Sequence, residues 1–221
     1  MSTNSGRFEG IYDVPSAARY LLASRMAREA YPVKSRSLIR WIRKGLALPE
    51  LAEVPGRELL IAFEDLISMR IIAALRAYGV SWPRIHAAER WLREHTGHER
   101  PFATEEIWTE RSDVFAYFRD MLITASRHGQ MAFTILEEYI IPVSGLTFER
   151  RVARTWEPSP FILLNPSIQF GAPCIKGTRI PTHSVWGMIE GGDPAELVLR
   201  SYGITEEELD AAVAWEERLA A

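Results

Sequence analysis

The chain has 221 residues, enough for one or two domains, and a formal net charge of −3 at pH 7. Its ordinary apolar content indicates a globular protein, and it holds no apolar stretch of about 18 residues that would predict a membrane span. The single cysteine, Cys174, excludes an intramolecular disulfide and predicts a reducing, cytoplasmic location.

The charge is distributed unevenly along the chain. Residues 7–46 contain nine Lys or Arg and three Asp or Glu, a balance of +6. Residues 155–221 contain four Lys or Arg and ten Asp or Glu, a balance of −6. The N-terminal part therefore suits a polyanion as a partner, and the C-terminal part does not.

The first predicted helix follows Tyr12, with Asp13 or Ser16 as its cap. A second helix is predicted over residues 34–46 (KSRSLIRWIRKGL), capped by Ser35 and ended by Gly45. Its inner face consists of Leu38, Trp41 and Ile42, and its outer face of Arg36, Arg40 and Arg43.

An anchored helix with three stacked arginines is typical of a helix that enters the major groove. The alternative is an ordinary solvated basic face. The predicted DNA-binding residues are Lys34, Ser35, Arg36, Ser37, Arg40, Arg43, Lys44 and Arg57.

The segments that follow strengthen the DNA-binding interpretation. Residues 58–63 (ELLIAF) predict a short strand pair or wing. Two helices are predicted next. The first begins at Glu64 and contains Ile67, Met69, Ile71, Ile72 and Leu75, and the second has Ile85, Ala88 and Leu92 turned inward.

Four segments resemble the MerR-like winged helix-turn-helix in their order and spacing. They are residues 14–21 (VPSAARYL), 38–46 (LIRWIRKGL), 63–66 (FEDL) and 79–81 (GVS). That resemblance covers Tyr12 to about Thr96 and implies binding to operator DNA.

The central segment, residues 99–160, has no assignable chemistry. Residues 108–118 predict strand, turn and strand, with a helix over 114–121 as the alternative. Residues 130–141 predict an amphipathic helix, and residues 146–156 a strand paired with residues 161–164. We expect this segment to join the other parts and to form a homodimer, since DNA readers commonly present paired half-sites.

Residues 170–192 (FGAPCIKGTRIPTHSVWGMIEGG) are the most distinctive stretch of the chain. Its glycines and prolines predict a turn-rich entry, after which Val185, Met188 and Ile189 indicate a helix ended by Gly191 and Gly192. Two more helices are predicted, one capped by Asp193 with Pro194 in its first turn and one at a capping box, Thr205 to Glu208 (TEEE).

In its residues and their spacing this part resembles a domain of unknown function, family 433, marked by a GTRIP motif. The matching positions are residues 165–166 (NP), Gly171, 175–181 (IKGTRIP), Gly191, Tyr202 and 205–207 (TEE). The resemblance covers residues 162 to about 219. It implies a VapB-type antitoxin encoded beside its partner, a PIN-domain ribonuclease toxin. It departs from the family at Ala172, where a basic residue is more common.

The first two of these three helices, joined by a tight turn at Gly191 and Gly192, have the order of a helix-turn-helix. We do not expect them to bind DNA, because Glu190, Asp193 and Glu196 would repel phosphates. The predicted partner-binding residues are Lys176, Thr178, Arg179, Trp186 and Glu190. Lys176 and Arg179 either contact the partner or brace the fold by hydrogen bonds to helix C-terminal carbonyls.

No catalytic motif is found. The sequence lacks a G-x-S-x-G elbow, an H-E-x-x-H helix and a glycine-rich phosphate loop. His95 and His98 have no nearby third ligand, so no metal site is predicted, and no cofactor is implied. Cys174 is interpreted as a buried small hydrophobe.

The predicted fold is mainly α with small β elements (α+β). Residues 1–98 form a winged helix-turn-helix, residues 99–160 a linking and dimerising segment, and residues 161–221 a three-helix helix-turn-helix-like domain. The predicted function is that of a non-enzymatic antitoxin that neutralises a PIN-domain ribonuclease and represses its own operon.

The competing prediction is a stand-alone MerR-like regulator whose C-terminal domain senses a ligand or dimerises. A pocket lined by Trp186, Tyr202 and Trp215 would favour it. An RNA-binding accessory protein is less well supported, because no aromatic platform alternates with the basic face.

Overall fold

The computed structural model describes residues 10–24, 33–45, 59–77, 80–108, 120 and 145–221. In the N-terminal half of the chain its elements are β1 (Tyr12–Asp13), α1 (Val14–Ala23), α2 (Ser35–Arg43), β2 (Leu60–Ile61), α3 (Phe63–Ala77) and α4 (Trp82–Thr96). In the C-terminal half they are β3 (Leu146–Glu149), β4 (Val152–Ser159), β5 (Ile162–Leu164), β6 (Cys174–Ile175), α5 (Thr182–Glu190), α6 (Ala195–Tyr202) and α7 (Glu206–Ala220).

The predicted α+β class is confirmed, because helices predominate and the strands among the described residues form two small antiparallel sheets. One sheet pairs β1 with β2, and the other has the order β3-β4-β5-β6. The apolar side chains lie in two cores, a larger one around α1 to α4 and a smaller one around α5 to α7.

The larger core contains the inner face predicted for α4, since Ile85, Ala88 and Leu92 are buried. The apolar residues named on α3, which are Ile67, Met69, Ile71, Ile72 and Leu75, are buried too, but residues 65–72 are buried on every side of that helix. Asp13 caps α1 as predicted, accepting a hydrogen bond from the Ser16 amide at 2.7 Å. A cap of this kind typically contributes about 1 kcal/mol to helix stability.

The strand at residues 60–61 has a distant partner. The sequence predicted a local strand pair or wing over residues 58–63, but β2 pairs with β1, with Tyr12 opposite Ile61. Residues 46–58, which lie between α2 and β2 and include the predicted Pro55-Gly56 turn, are outside the described residues.

The prediction of a single strand over residues 146–156 is wrong, because the chain reverses its direction within this range and forms two strands. Strands β3 and β4 form a hairpin, and Arg150 and Arg151 at its tip have φ values of 52° and 68°. Neither residue is a Gly or Asn, which usually mark such turns, so the periodicity alone did not reveal the reversal. The predicted pairing with residues 161–164 is confirmed by β4 and β5.

The central segment is only partly described. Pro101–Ala103 and Glu105–Trp108 form two 3-10 turns. The strand and helix alternatives for residues 109–119 and the helix predicted over 130–141 lie outside the described residues. The four-stranded sheet runs from residue 146 to residue 175, so it spans the predicted boundary between residues 160 and 161.

The C-terminal helices follow the predicted order. The capping box at the start of α7 is confirmed, since Thr205 accepts from the Glu208 amide and Glu208 from the Thr205 amide. Asp193 does not cap α6, contrary to the prediction, because the helix begins at Ala195 with Pro194 in the cap position. The Asp193 amide instead donates to the Met188 carbonyl and closes the turn after α5.

Helix α1 connects the two cores. Its residues Val14, Ala17, Ala18 and Leu21 belong to the larger core, whereas Ala23 belongs to the smaller one. Tyr20 packs against both, and its ring lies 6.2 Å from that of Tyr12 and 6.4 Å from that of Trp215 on α7. The first helix of the N-terminal part therefore has α7 as a direct neighbour.

Candidate functional site

Helix α2 carries the predicted basic surface. Leu38, Trp41 and Ile42 are buried in the larger core, so the opposite side of the helix faces solvent. The exposed cations along it are Lys34, Arg36, Arg40, Arg43 and Lys44, with Ser35 and Ser37 half-buried. We call Lys34, Arg36, Arg40, Arg43 and Lys44 the basic face.

No carboxylate among the described residues forms an ion pair with Arg36, Arg40 or Arg43. Within the described part of the chain, no carboxylate therefore competes with phosphates or base edges for these guanidinium groups. Arg57, the remaining predicted DNA-binding residue, is outside the described part of the chain.

The start of α2 differs from the prediction. Ser35 is the first helical residue, and Lys34 occupies the cap position without a side-chain hydrogen bond to the helix. The end agrees, since Gly45 has a φ of +72° and its amide donates to the Ile42 carbonyl. Uncapped amides at the N-terminus of a helix attract anions, which adds to the positive potential of the basic face.

An aromatic cluster fixes α2 against α4. The buried Trp41 ring meets Trp82 edge to face at 6.0 Å. Lys44 Nζ lies 5.3 Å and Arg76 Cζ 4.9 Å from the centre of the Trp82 ring. Sequence reasoning did not connect Arg76 and Trp82 with the basic face, because the four residues are brought together from three helices.

The basic face also affects its surroundings. Burial, followed by repulsion from Lys44 and Arg90, lowers the pKa of His86 on α4. His86 is therefore largely neutral at pH 7, and the positive charge of this region comes from Lys and Arg side chains.

The KGTRIP segment is a closed turn between β6 and α5. The Thr178 hydroxyl donates to the Ile175 carbonyl at 2.8 Å and accepts from the Ile180 amide at 3.1 Å. The Ile175 amide donates to the Ile180 carbonyl at 3.0 Å, and Gly177 supplies the left-handed backbone with a φ of +82°. The hydroxyl of Thr178 is thus used within the turn.

Lys176 and Arg179 differ in their surroundings. Lys176 Nζ contacts Glu157 Oε2 on β4 at 2.6 Å, so it braces the turn against the sheet through a carboxylate and not through helix carbonyls. Arg179 is exposed, and its carbonyl accepts from Gln169 Nε2 at 3.2 Å. Of the two, the Arg179 side chain is the more accessible to a partner.

The other predicted partner-binding residues lie on α5. Trp186 is half-buried and belongs to neither core, and Glu190 is exposed at the last position of the helix. Trp215 is fully buried in the smaller core next to Tyr20, so it does not line an open pocket with Trp186 and Tyr202.

A charged cleft of about 370 Å³ lies between the start of α3, the end of α4 and the β3-β4 hairpin. Its lining includes Glu64, His98, Arg100, Glu149 and Arg154. The two arginines are engaged, Arg100 with Asp65 at 2.9 Å and Arg154 with Glu149 at 3.5 Å.

Cys174 is a buried thiol whose pKa burial raises to about 11, partly offset by the charge of Arg179. Only the thiolate reacts with alkylating agents, so we expect no labelling of native protein by iodoacetamide at pH 8 and full labelling in 6 M guanidinium. Mass spectrometry of the intact chain measures both. Rapid labelling of the native protein would contradict the buried position.

Within the described residues no three His, Cys, Asp or Glu side chains are grouped closely enough to hold a metal ion. Among the described helices, none combines the length and the apolar character needed to cross a membrane.

Residues 162–215, about a quarter of the chain, match the family model described as "Protein of unknown function (DUF433)". Over 223 aligned residues the chain is 23% identical to the Mycobacterium tuberculosis protein named "Putative antitoxin VapB45", covering 92% of both proteins. The two matches support a likeness to antitoxin-like proteins along almost the whole chain.

The crystal structure of Rv2018 from Mycobacterium tuberculosis has the same fold. It superimposes with a TM-score of 0.69 at 19% identity, covering 91% of this chain and 96% of that one. The arrangement of the N-terminal helices, the sheet and the C-terminal helices is therefore shared with a protein of known structure.

Proposed function

We propose that this protein is an antitoxin that neutralises a PIN-domain ribonuclease and represses its own operon by binding operator DNA. The observation that carries the proposal is the similarity to VapB45, because it extends through both the basic N-terminal part and the acidic C-terminal part. An antitoxin acts by binding, which agrees with the absence of a catalytic motif in the sequence.

The DNA-binding half of the proposal rests on the basic face. The inner residues of α2 are fixed in the larger core, and Trp41 among them also packs against Trp82. The arginines of the basic face therefore project from a rigid helix. A rigid reading helix is what direct recognition of base edges requires. The MerR-like assignment and the homodimer, which would present two such helices to a palindromic operator, are part of the same proposal.

The partner-binding half rests on the acidic C-terminal helices. Residues 182–220 carry nine Asp or Glu against two Arg, so they repel phosphates but suit a basic protein surface, such as one that holds RNA. Glu190, Trp186 and Arg179 are exposed or half-buried there. Lys176 and Thr178 support them by fixing the turn that leads into α5.

Neutralisation can be tested in cells. We expect that induction of the neighbouring nuclease gene alone arrests growth, and that co-expression of this chain restores it. The purified complex of the two proteins should also have no ribonuclease activity, whereas the free nuclease should be active. An Asp→Asn variant of a catalytic acid in the nuclease is the control for toxicity.

If the neighbouring product is not toxic, or is toxic and not neutralised, the antitoxin proposal is wrong. If the chain still binds operator DNA in that case, the stand-alone transcriptional regulator becomes the better-supported function. The charged cleft beside His98 is then the place to look for its ligand, since Trp215 is buried in the C-terminal part.

Deletion of the C-terminal helices is not a clean test. Tyr20 on α1 packs against Trp215 on α7, and the Ile11 amide donates to the Phe170 carbonyl at 3.2 Å. Removal of residues 170–221 would expose one side of the first helix next to α2. Point substitutions of exposed side chains avoid this problem.

A further inference from the structure

Helix α6 is the least covered helix of the C-terminal part. Of its eight residues only Val198 is buried, and the helix packs mainly against α5. Leu197 is 40% exposed, and Leu199 and Tyr202 are half-buried at the edge of the smaller core. The helix therefore presents one exposed apolar side chain, with two half-buried ones beside it, on a surface that mainly α5 covers.

The charge around α6 is predominantly negative, although Arg200 lies in its last turn. Residues 182–220 contain nine Asp or Glu and two Arg. Glu190 and Asp193 precede α6, Glu196 lies in its first turn, and Glu206 and Glu207 begin the next helix. The apolar positions of α6 are thus bordered by carboxylates at both ends.

This charge decides which occupant fits. A second copy of the same helix would bring two acidic surfaces together, which opposes association. Nucleic acid would be repelled for the same reason. A protein with an apolar patch surrounded by Lys or Arg matches both features.

We propose that α6, with Leu197 at its centre and Glu190 and Glu196 beside it, is the docking helix for a basic protein partner. This inference rests on the proposed function and names the surface through which the nuclease is held. An eight-residue helix is only about 12 Å long. Since a specific interface buries roughly 800 Å² on each partner, the contact must extend onto α5, where Trp186 belongs to neither core.

The test compares two matched double variants of the full chain. The first, Leu197→Ser with Glu196→Lys, changes α6. The control, Leu22→Ser with Glu94→Lys, makes the same chemical changes on α1 and α4, where Leu22 is 42% exposed and Glu94 is exposed. The probe is the purified neighbouring nuclease with an inactivated active site, and binding is measured by calorimetry.

We expect the α6 variant to bind at least tenfold more weakly than the unmodified chain and the control to bind as the unmodified chain does. Both variants should melt within a few degrees of the unmodified chain, because the changed side chains lie outside the cores. DNA binding should also be unchanged.

Three results would overturn the inference, and they are distinguishable from failure of the proposed function. Equal binding by all three chains would place the interface elsewhere, and equal weakening of both variants would indicate a general charge effect. A change in self-association measured by sedimentation, without a change in nuclease binding, would assign α6 to a second copy. If the unmodified chain does not bind the nuclease, the proposed function itself fails and the inference fails with it.

Discussion

Replacement of Gly171 by Ala is expected to destabilise the protein by about 3–5 kcal/mol, because a steric clash in a packed core and a strained backbone each cost about 1–3 kcal/mol. A Cβ at this position would lie 2.1 Å from Tyr12 Oη and 2.7 Å from Tyr12 Cζ. The Tyr12 side chain is buried and held between Tyr20 and Phe63, so it cannot move aside. Gly171 also has a φ of +89°, which is strained for any residue with a Cβ.

Gly177→Ala is the matched control for this prediction. Gly177 has a similar φ of +82°, but a methyl group at this position would have no atom within 4 Å of it, so only the backbone strain applies. We expect a loss of about 1–2 kcal/mol there. Urea unfolding followed by tryptophan fluorescence gives both values. A loss for Gly171→Ala no larger than that of the control would show that Tyr12 does not pack against this turn.

A third variant separates the contact from the backbone strain. The buried Tyr12 hydroxyl has no hydrogen-bond partner among the described residues, so Tyr12→Phe is expected to be neutral or stabilising. In the double variant with Gly171→Ala, the Tyr12→Phe substitution removes Tyr12 Oη, the atom nearest to the new methyl group, and should recover part of the lost stability. Simple additivity of the two substitutions would argue against a direct contact.

Replacement of both Arg40 and Arg43 by Ala is expected to weaken binding to an operator duplex by about a hundredfold. Each exposed arginine that contacts a base or phosphate contributes roughly 1–3 kcal/mol, and each lost phosphate contact lowers the salt slope by about 0.9. The fold should be unaffected, because Leu38, Trp41 and Ile42 still anchor α2. Fluorescence anisotropy at several salt concentrations measures affinity and slope together.

Arg179→Ala with Arg200→Ala serves as the charge-matched control, since both residues are exposed and lie in the C-terminal part. The control should bind DNA with nearly unchanged affinity. Equal weakening by the two pairs would mean that net charge, and not the basic face, governs binding. An unchanged affinity of the Arg40 and Arg43 variant would remove α2 from the DNA interface.

Local patterns in the sequence determined much of this protein without tertiary information. The inner and outer faces of α2, the Asp13 cap and the capping box of Thr205 and Glu208 all involve residues three or four positions apart. Interactions at that spacing follow from helix geometry, so the sequence specifies them directly. The basic character of one end and the acidic character of the other likewise need only a count of charges.

Only the tertiary structure decided how these parts meet. The pairing of β1 with β2, the Lys176 contact with Glu157 and the packing of Tyr12 over Gly171 join residues far apart in the chain. No period or spacing in the sequence encodes such contacts, because they form only when separate elements pack together to bury apolar surface. The packing of α1 on α7 is a further contact of this kind. The sequence therefore predicted α1 as part of the N-terminal domain alone.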